Sequence, residues 1–203
     1  MVGESSTLDR IRLVAKHPAE EERATSKSRL QQRRGELLSD LAARLLAGQD
    51  LDKEVMPALY RALAEERISD ATLGYIITDM DQGMKLGFME GFDRATVQRC
   101  LTLDFGQAVC GTVAVTRQAM HVTDIQKSLD PMADLVRSAG INAYACEPLL
   151  VGDRLLGTLS FASRHRRRFD PDDLSFFRTI AKHVALARDR ARRAKTGVSA
   201  PAG

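Results

Sequence analysis

The segment 143–163, AYACEPLLVGDRLLGTLSFAS, decides the fold. Two runs of apolar and aromatic residues, 143–151 and 155–162, flank Gly152-Asp153. A tight glycine-containing turn between such runs reverses the chain with the twist that two antiparallel strands require. Just downstream, Asp170-Pro171-Asp172-Asp173 marks a helix start. Asp170 can accept from the free N–H groups of a first turn, and Pro171 has no N–H to leave unsatisfied there. Leu174, Phe177, Ile180, Ala181, Val184 and Ala187 then recur on one face and predict a helix to about Arg192.

Upstream of this unit, Asp130-Pro131 opens a helix that Gly140 closes, and 121–125 reads as a short strand. The segment 105–120 is ambiguous: Gly106 and Gly111 interrupt it, and 111–116 could be strand or short helix. Further back, 73–78 and 84–90 form a second hairpin across a turn at 79–83, and Asp93 caps a short helix over 95–100. Two amphipathic helices come first. One begins near Lys27, carries Leu30, Leu37, Leu38, Leu41, Leu45 and Leu46, and ends at Gly48; the other follows an Asp50 cap with Val55, Leu59 and Leu63. Strands joined mainly by hairpins, with helices at both ends, predict an α+β protein whose antiparallel sheet is covered mostly on one face. The expected organisation is a flexible or loosely helical extension at 1–26, one domain with its flanking helices at 27–192, and a disordered basic tail at 193–203.

The chain has 203 residues, 44% hydrophobic and 28% charged, enough to bury one core. No apolar run is long enough to span a bilayer, and no signal-peptide pattern opens the chain, so a cytoplasmic location without membrane attachment is expected. No P-loop, HExxH, GxSxG or GxGxxG motif occurs, and no metal site is expected. Tryptophan is absent, which disfavours a base-stacking platform. From Phe161 onward there are eleven Lys and Arg against four Asp and Glu. The cluster Arg164-His165-Arg166-Arg167-Arg168 lacks any accompanying nucleic-acid motif and reads as a solvated turn, so nucleic acid is not an expected partner. Cys100, Cys110 and Cys146 have no disulfide or CxxC spacing and read as small buried residues of a reducing compartment.

Several segments together resemble the GAF domain family. They are Phe105-Gly106-Gln107-Ala108-Val109-Cys110-Gly111-Thr112-Val113-Ala114, His121-Val122-Thr123-Asp124-Ile125, Ala143-Tyr144-Ala145-Cys146-Glu147-Pro148-Leu149-Leu150, Gly157-Thr158-Leu159-Ser160-Phe161-Ala162-Ser163 and Phe169-Asp170-Pro171-Asp172-Asp173-Leu174. The resemblance spans about residues 30–190. It implies a PAS-like antiparallel sheet flanked by helices, with the N- and C-terminal helices forming a bundle. It also implies a pocket between the sheet and segment 105–145, for which Phe88, Cys110, Thr112, His121, Asp124, Tyr144, Cys146, Thr158 and Ser160 are the lining candidates.

The function so implied is a stand-alone sensory or regulatory module that binds a small ligand or mediates dimerisation in signal transduction. The expected partners are a second copy of the chain, a small molecule and a separate signalling protein. A homodimer seam is drawn from Leu37, Leu41 and Leu45 with Phe177, Ile180, Val184 and Ala187, widened by Leu38, Phe176 and Ala185. Val109-Cys110-Gly111-Thr112, with Cys100 ten residues earlier, also resembles the free methionine-R-sulfoxide reductases of the family. The cysteine loop of those enzymes has no counterpart in 130–140, and Leu159-Ser160-Phe161-Ala162-Ser163 lacks their two carboxylates. The chain is therefore read as non-enzymatic, with such a thiol reductase, or a redox sensor using Cys100 and Cys110, as the alternative. No Cys-His dipeptide suits a bilin, His121 is the best-placed haem ligand, and only Phe169 and Asp172-Asp173 match a cyclic-nucleotide signature. The cofactor is left unknown.

Overall fold

A computed structural model describes residues 18–77 and 83–196. Helix α1, Pro18–Leu46, leads through a π-helical turn at Leu51–Val55 into α2, Met56–Glu65. Then come β1 (Ala71–Ile77), β2 (Met84–Glu90), α3 (Arg94–Arg99), β3 (Thr102–Leu103), α4 (Ala108–Thr116) and β4 (Met120–Val122). Two 3-10 turns, Ile125–Lys127 and Pro131–Ala133, precede α5 (Asp134–Ser138), β5 (Ala143–Val151), β6 (Arg154–Ser163) and α6 (Pro171–Thr196). The expected turn at 79–83 lies outside the described residues apart from Gly83, as does the expected tail beyond 196.

The chain divides into two compact units at Glu36/Leu37. The described part of the first is the front of α1, a largely exposed helical stretch with Arg34 buried, where Glu36 accepts from Arg33 at 2.9 Å and Gln32 at 3.1 Å. The helix begins at Pro18, ahead of the expected start at Lys27.

The second unit is built on a six-stranded antiparallel sheet of order β3-β2-β1-β6-β5-β4. Both faces are covered, a correction to the one-sided sheet that hairpin connections suggested. On one face α6 packs over β5 and β6: Phe161 stacks on Phe177 with centroids 4.0 Å apart, and Phe169 meets Phe177 edge-on at 4.9 Å. On the other, α3, α4 and α5 bury Leu73, Tyr75, Tyr144 and Cys146. Two-sided cover explains why the first five residues of β5 are buried in succession instead of alternately.

The local signals hold where they are chemical. The Asp170 carboxylate accepts from Asp173 N–H at 2.8 Å, and Asp173 returns the bond to Asp170 N–H at 3.0 Å, a reciprocal cap with Pro171 at the first helical position. Asp50 and Asp93 cap as expected, the former accepting from Asp52 and Lys53 N–H and the latter from Thr96 N–H. The ambiguous 111–116 belongs to helix α4, whose residues Val109, Cys110, Gly111, Val113 and Ala114 are all buried. A helix wrapped by protein shows no apolar stripe to read. The short strand ends at Val122 because Asp124 turns left-handed, with φ +51°. The helix after Asp130 opens as a 3-10 turn before α5.

The expected dimer seam is largely consumed within the protomer. Phe177, Ile180, Val184 and Ala185 are fully buried, and Phe176, Leu37 and Leu41 nearly so. They seal their own fold and leave Leu46 and Leu186, 74% and 59% exposed, as the open leucines of the two terminal helices.

Candidate functional site

The inner face of the sheet carries a cluster of thiols and hydroxyls that local strand alternation explains. Tyr144 and Cys146 are two apart on β5, and Thr158 and Ser160 two apart on β6, so all four point to the α4 side. Register sets Cys146 opposite Ser160, and Ser160 opposite Leu73. Helix α4 crosses above and lowers Cys110 onto this group. Its sulfur lies 3.1 Å from Tyr144 Oη and 3.3 Å from Ser160 Oγ. The next residue, Gly111, lets α4 pack onto the turn before it, where a Cβ would stand 2.4 Å from the Asp104 carbonyl oxygen. Ala108, the first residue of α4, holds a left-handed conformation at φ +50°, an uncommon strain for a residue with a side chain.

The electrostatics follow from this crowding. The Cys110 thiol is lowered to about 7, mainly because Cys146 hydrogen-bonds its sulfur, with help from Ser160 and Tyr144 against the opposing effect of burial. Burial pushes Cys146 well above the ordinary thiol value, and neighbouring Cys110 raises it further, so Cys146 keeps its proton. Burial likewise raises Tyr144 and Tyr75, which remain neutral phenols, and raises Cys100. Thr158 Oγ1 is buried with no hydrogen-bond partner and stands beside the same sulfur. The arrangement offers several neutral donors around one sulfur, which is what a thiolate needs in a buried setting.

Beside Cys110 lies a small cavity of about 20 Å³ between the sheet and α3–α5. Tyr75, Cys100, Tyr144, Met132, Leu135 and Val136 are among its walls, and no carboxylate lines it. A larger depression of about 930 Å³ opens to solvent near the β5–β6 turn, beside Phe105, Val115 and Leu155. Its arginines are engaged: Arg117 donates to the Asp153 carbonyl at 2.9 Å, while Arg154 and Arg193 both pair with Asp189.

Of the nine expected lining residues, Cys110 and Tyr144 line the small cavity, and Cys146, Thr158 and Ser160 lie outside its walls on the same face of the sheet beneath Cys110. The other four lie elsewhere. Phe88 lies opposite Gly74 on the other face, its ring filling the space a Gly74 side chain would take. Thr112 turns along its own helix and donates to the Ala108 carbonyl at 2.8 Å. His121 pairs with Ala145 in register and so faces the α6 side, where its Nε2 is 3.4 Å from Glu147 Oε1. It thus points away from the cavity that a haem ligand would have to serve. Asp124 pairs with Arg167 at the surface. Tyr75 was missed, although its alternation with Leu73 puts it on the cavity side; Met132, Leu135 and Val136 carry no separate sequence signal.

The arginine-rich turn is not a free solvated patch. Arg164 bonds Asp70 Oδ1 at 3.1 Å and the Gly91 carbonyl at 2.7 Å. Arg166 pairs with Asp173 at 2.7 Å, and Arg167 with Asp124. These contacts staple the end of β6 to β1 and to the start of α6.

A family model described as GAF domain matches residues 52–189. Among solved structures, the GAF domain of a phosphoenolpyruvate-protein phosphotransferase from Coxiella burnetii superimposes with TM-score 0.68 at 20% identity, covering 81% of this chain and 98% of that one. The free methionine-R-sulfoxide reductase from Neisseria meningitidis, solved in complex with its substrate, gives TM-score 0.64 at 20% identity over 79% and 91%. The GAF domain of the Acinetobacter phosphoenolpyruvate-protein phosphotransferase gives TM-score 0.64 at 13% identity over 80% and 97%. No curated protein matches the chain.

Proposed function

The chain belongs to the GAF domain family, and from that premise we propose that it is a non-enzymatic sensory or regulatory module whose input face is the thiol–tyrosine cluster under α4. The carrying observation is the cavity between the sheet and α3–α5, walled by apolar side chains, phenols and thiols. Pockets of this make-up favour small, uncharged, largely apolar ligands. At about 20 Å³ it holds about one water, so a larger ligand would enter by displacing Met132, Leu135 and Val136 on the short α5 side. Such a displacement bears on α4, which contacts β5 and β6, the strands that α6 covers from behind.

The output we propose is a homodimer in the cytoplasm whose terminal helices pass the change to a separate signalling protein. Leu46 and Leu186, exposed on α1 and α6, support that seam in place of the residues buried within the protomer. Among the described residues no helix is long and apolar enough to cross a membrane. The reductase reading is disfavoured on charge: the ammonium of free methionine sulfoxide would meet no carboxylate in the cavity.

Native mass spectrometry of freshly purified protein, with an absorption spectrum, tests the module directly. The expected result is a dimer mass carrying a small-molecule adduct. A bare monomer at tens of micromolar concentration sinks the proposal, and so does NADPH-coupled turnover of free methionine-R-sulfoxide with thioredoxin.

A further inference from the structure

We infer that the open depression at the β5–β6 turn is a second ligand site, one that takes a monocarboxylate with an apolar body. It shares no wall with the small cavity under α4. Its floor is apolar. Ile77, Phe105 and Leu155 are half-buried and packed against the core on the inner side of the sheet. Val115, in the last turn of α4, adds a side chain that is 60% exposed. The volume of about 930 Å³ falls within the range of about 300–1,000 Å³ that small-molecule sites occupy.

The rim is cationic and held in place. Arg117 donates to the Asp153 carbonyl, a neutral oxygen, and among the described residues its guanidinium meets no carboxylate. Arg154 and Arg193 share one carboxylate, that of Asp189. Their side chains stay 42% and 40% exposed while the Asp189 side chain is almost covered, so both heads remain within reach of a ligand. Asp153 also lines the depression. Three arginines against two aspartates leave one positive charge beside an apolar floor. A guanidinium presents paired N–H donors in a fork that fits a carboxylate, and a single added negative charge completes the balance where a dianion would overshoot it. Contacts already made fix the arginines before a ligand arrives, so little side-chain freedom is lost on binding. Such a ligand would touch α4 at Val115 and α6 at Arg193, joining helices from opposite faces of the sheet across its end.

The test is isothermal titration calorimetry of the intact protein with decanoate, below the concentration at which it forms micelles. The expected result is one saturable site per chain. Decanol keeps the tail without the charge, and acetate keeps the charge without the tail; each should bind at least about tenfold more weakly. Arg117→Gln should weaken decanoate about tenfold, the worth of one charge-assisted hydrogen bond. Val115→Glu, at an exposed helical position that tolerates a polar residue, should abolish binding by setting one carboxylate against another. No saturable binding to the folded wild type, equal affinity for decanol, or affinity unchanged in both variants would each overturn the proposal. A ligand-free dimer that Val115→Glu breaks would give the depression to a second copy of the chain, and overturn it too. Circular dichroism reports whether the variants fold. Should either fail, amide exchange of the wild type decides: protection by decanoate at 113–117 and 151–155 supports the site, and protection confined to other segments overturns it.

Discussion

Replacing Gly111 with alanine sets two opposing effects against each other on the helix that carries Cys110. Alanine is the better helix former by about 1 kcal/mol in a helix interior. Against that, the new Cβ would stand 2.4 Å from the Asp104 carbonyl oxygen, 3.1 Å from Gly106 N and 3.2 Å from Gly106 C. All three are backbone atoms, so no side chain can swing aside. The turn beneath is pinned by Gln107 N–H to the Asp104 carbonyl at 3.1 Å, by Asp104 N–H to Gln107 Oε1 at 3.0 Å, and by Thr112 Oγ1 to the Gly106 carbonyl at 3.4 Å. Forcing α4 and this turn apart costs about 1–3 kcal/mol in overpacking, plus about 1 kcal/mol for each hydrogen bond lost. The net expectation is a destabilisation of about 2 kcal/mol, because the steric cost outweighs the gain in propensity. Gly35 in α1 supplies the control: nothing lies within 4 Å of its would-be Cβ. There the same change should stabilise by up to about 1 kcal/mol. Urea denaturation followed by far-UV circular dichroism measures both. A Gly111→Ala protein as stable as the wild type refutes the claim that this glycine exists for close approach.

Phe161→Ala removes a ring that is fully buried and stacked on Phe177 at 4.0 Å, and should cost about 3–5 kcal/mol by the same denaturation assay, with Phe161→Leu losing clearly less. Asp170→Ala should lose about 1 kcal/mol through the α6 cap, while Asp170→Asn, whose amide oxygen still accepts from Asp173 N–H, should retain most of it; equal losses would show that the bond from Asp173 N–H to the residue 170 side chain is idle. The reactivity of Cys110 should titrate early. Thiolate is the reactive form, and a thiol lowered to about 7 gains it as pH rises through neutrality, whereas an ordinary thiol does so near 8.5. Mass-resolved alkylation rates from pH 5 to 9 check this, and a Cys110 midpoint above 8.5 contradicts it.

Where one residue's own chemistry dictates the backbone, the sequence was readable. Asp170-Pro171 placed the start of α6, and Gly152-Asp153 placed the β5–β6 turn. Helix α4 was not readable as a helix, since burial on several sides erases the stripe that betrays one. The two-residue β3 is too short to carry a pattern. Within the site, β5 and β6 alternate regularly across their middle, so Tyr144, Cys146, Thr158 and Ser160 share the face that alternation assigns them, although only Tyr144 of the four lines the cavity. Phe88 failed because the β1–β2 register slips between Gly74 and Tyr75. One extra residue reverses which face a side chain takes, and nothing in the local pattern announces it. The arginine turn was misread because its partners Asp70 and Asp124 lie far away in sequence. The same holds for Cys110, whose neighbours across the sheet only the fold brings near.

The strand order places β1 beside β6, so the centre of the sheet joins the first strand to the last. Thr72 meets Phe161, and Ser69, just ahead of β1, receives the Ala162 N–H at 3.2 Å. On a ribosome adding about 5–20 residues per second, β1 waits several seconds for its central partner. During that time the β1–β2 hairpin holds an open edge whose match has not been made. The domain therefore cannot be assembled piecewise from its front, and high contact order makes its folding a late, nearly all-or-none event. A chain broken off before β6 would leave two half-sheets, each with a raw edge facing the crowded cell, and such fragments are candidates for prompt proteolysis or for pairing with the wrong strand.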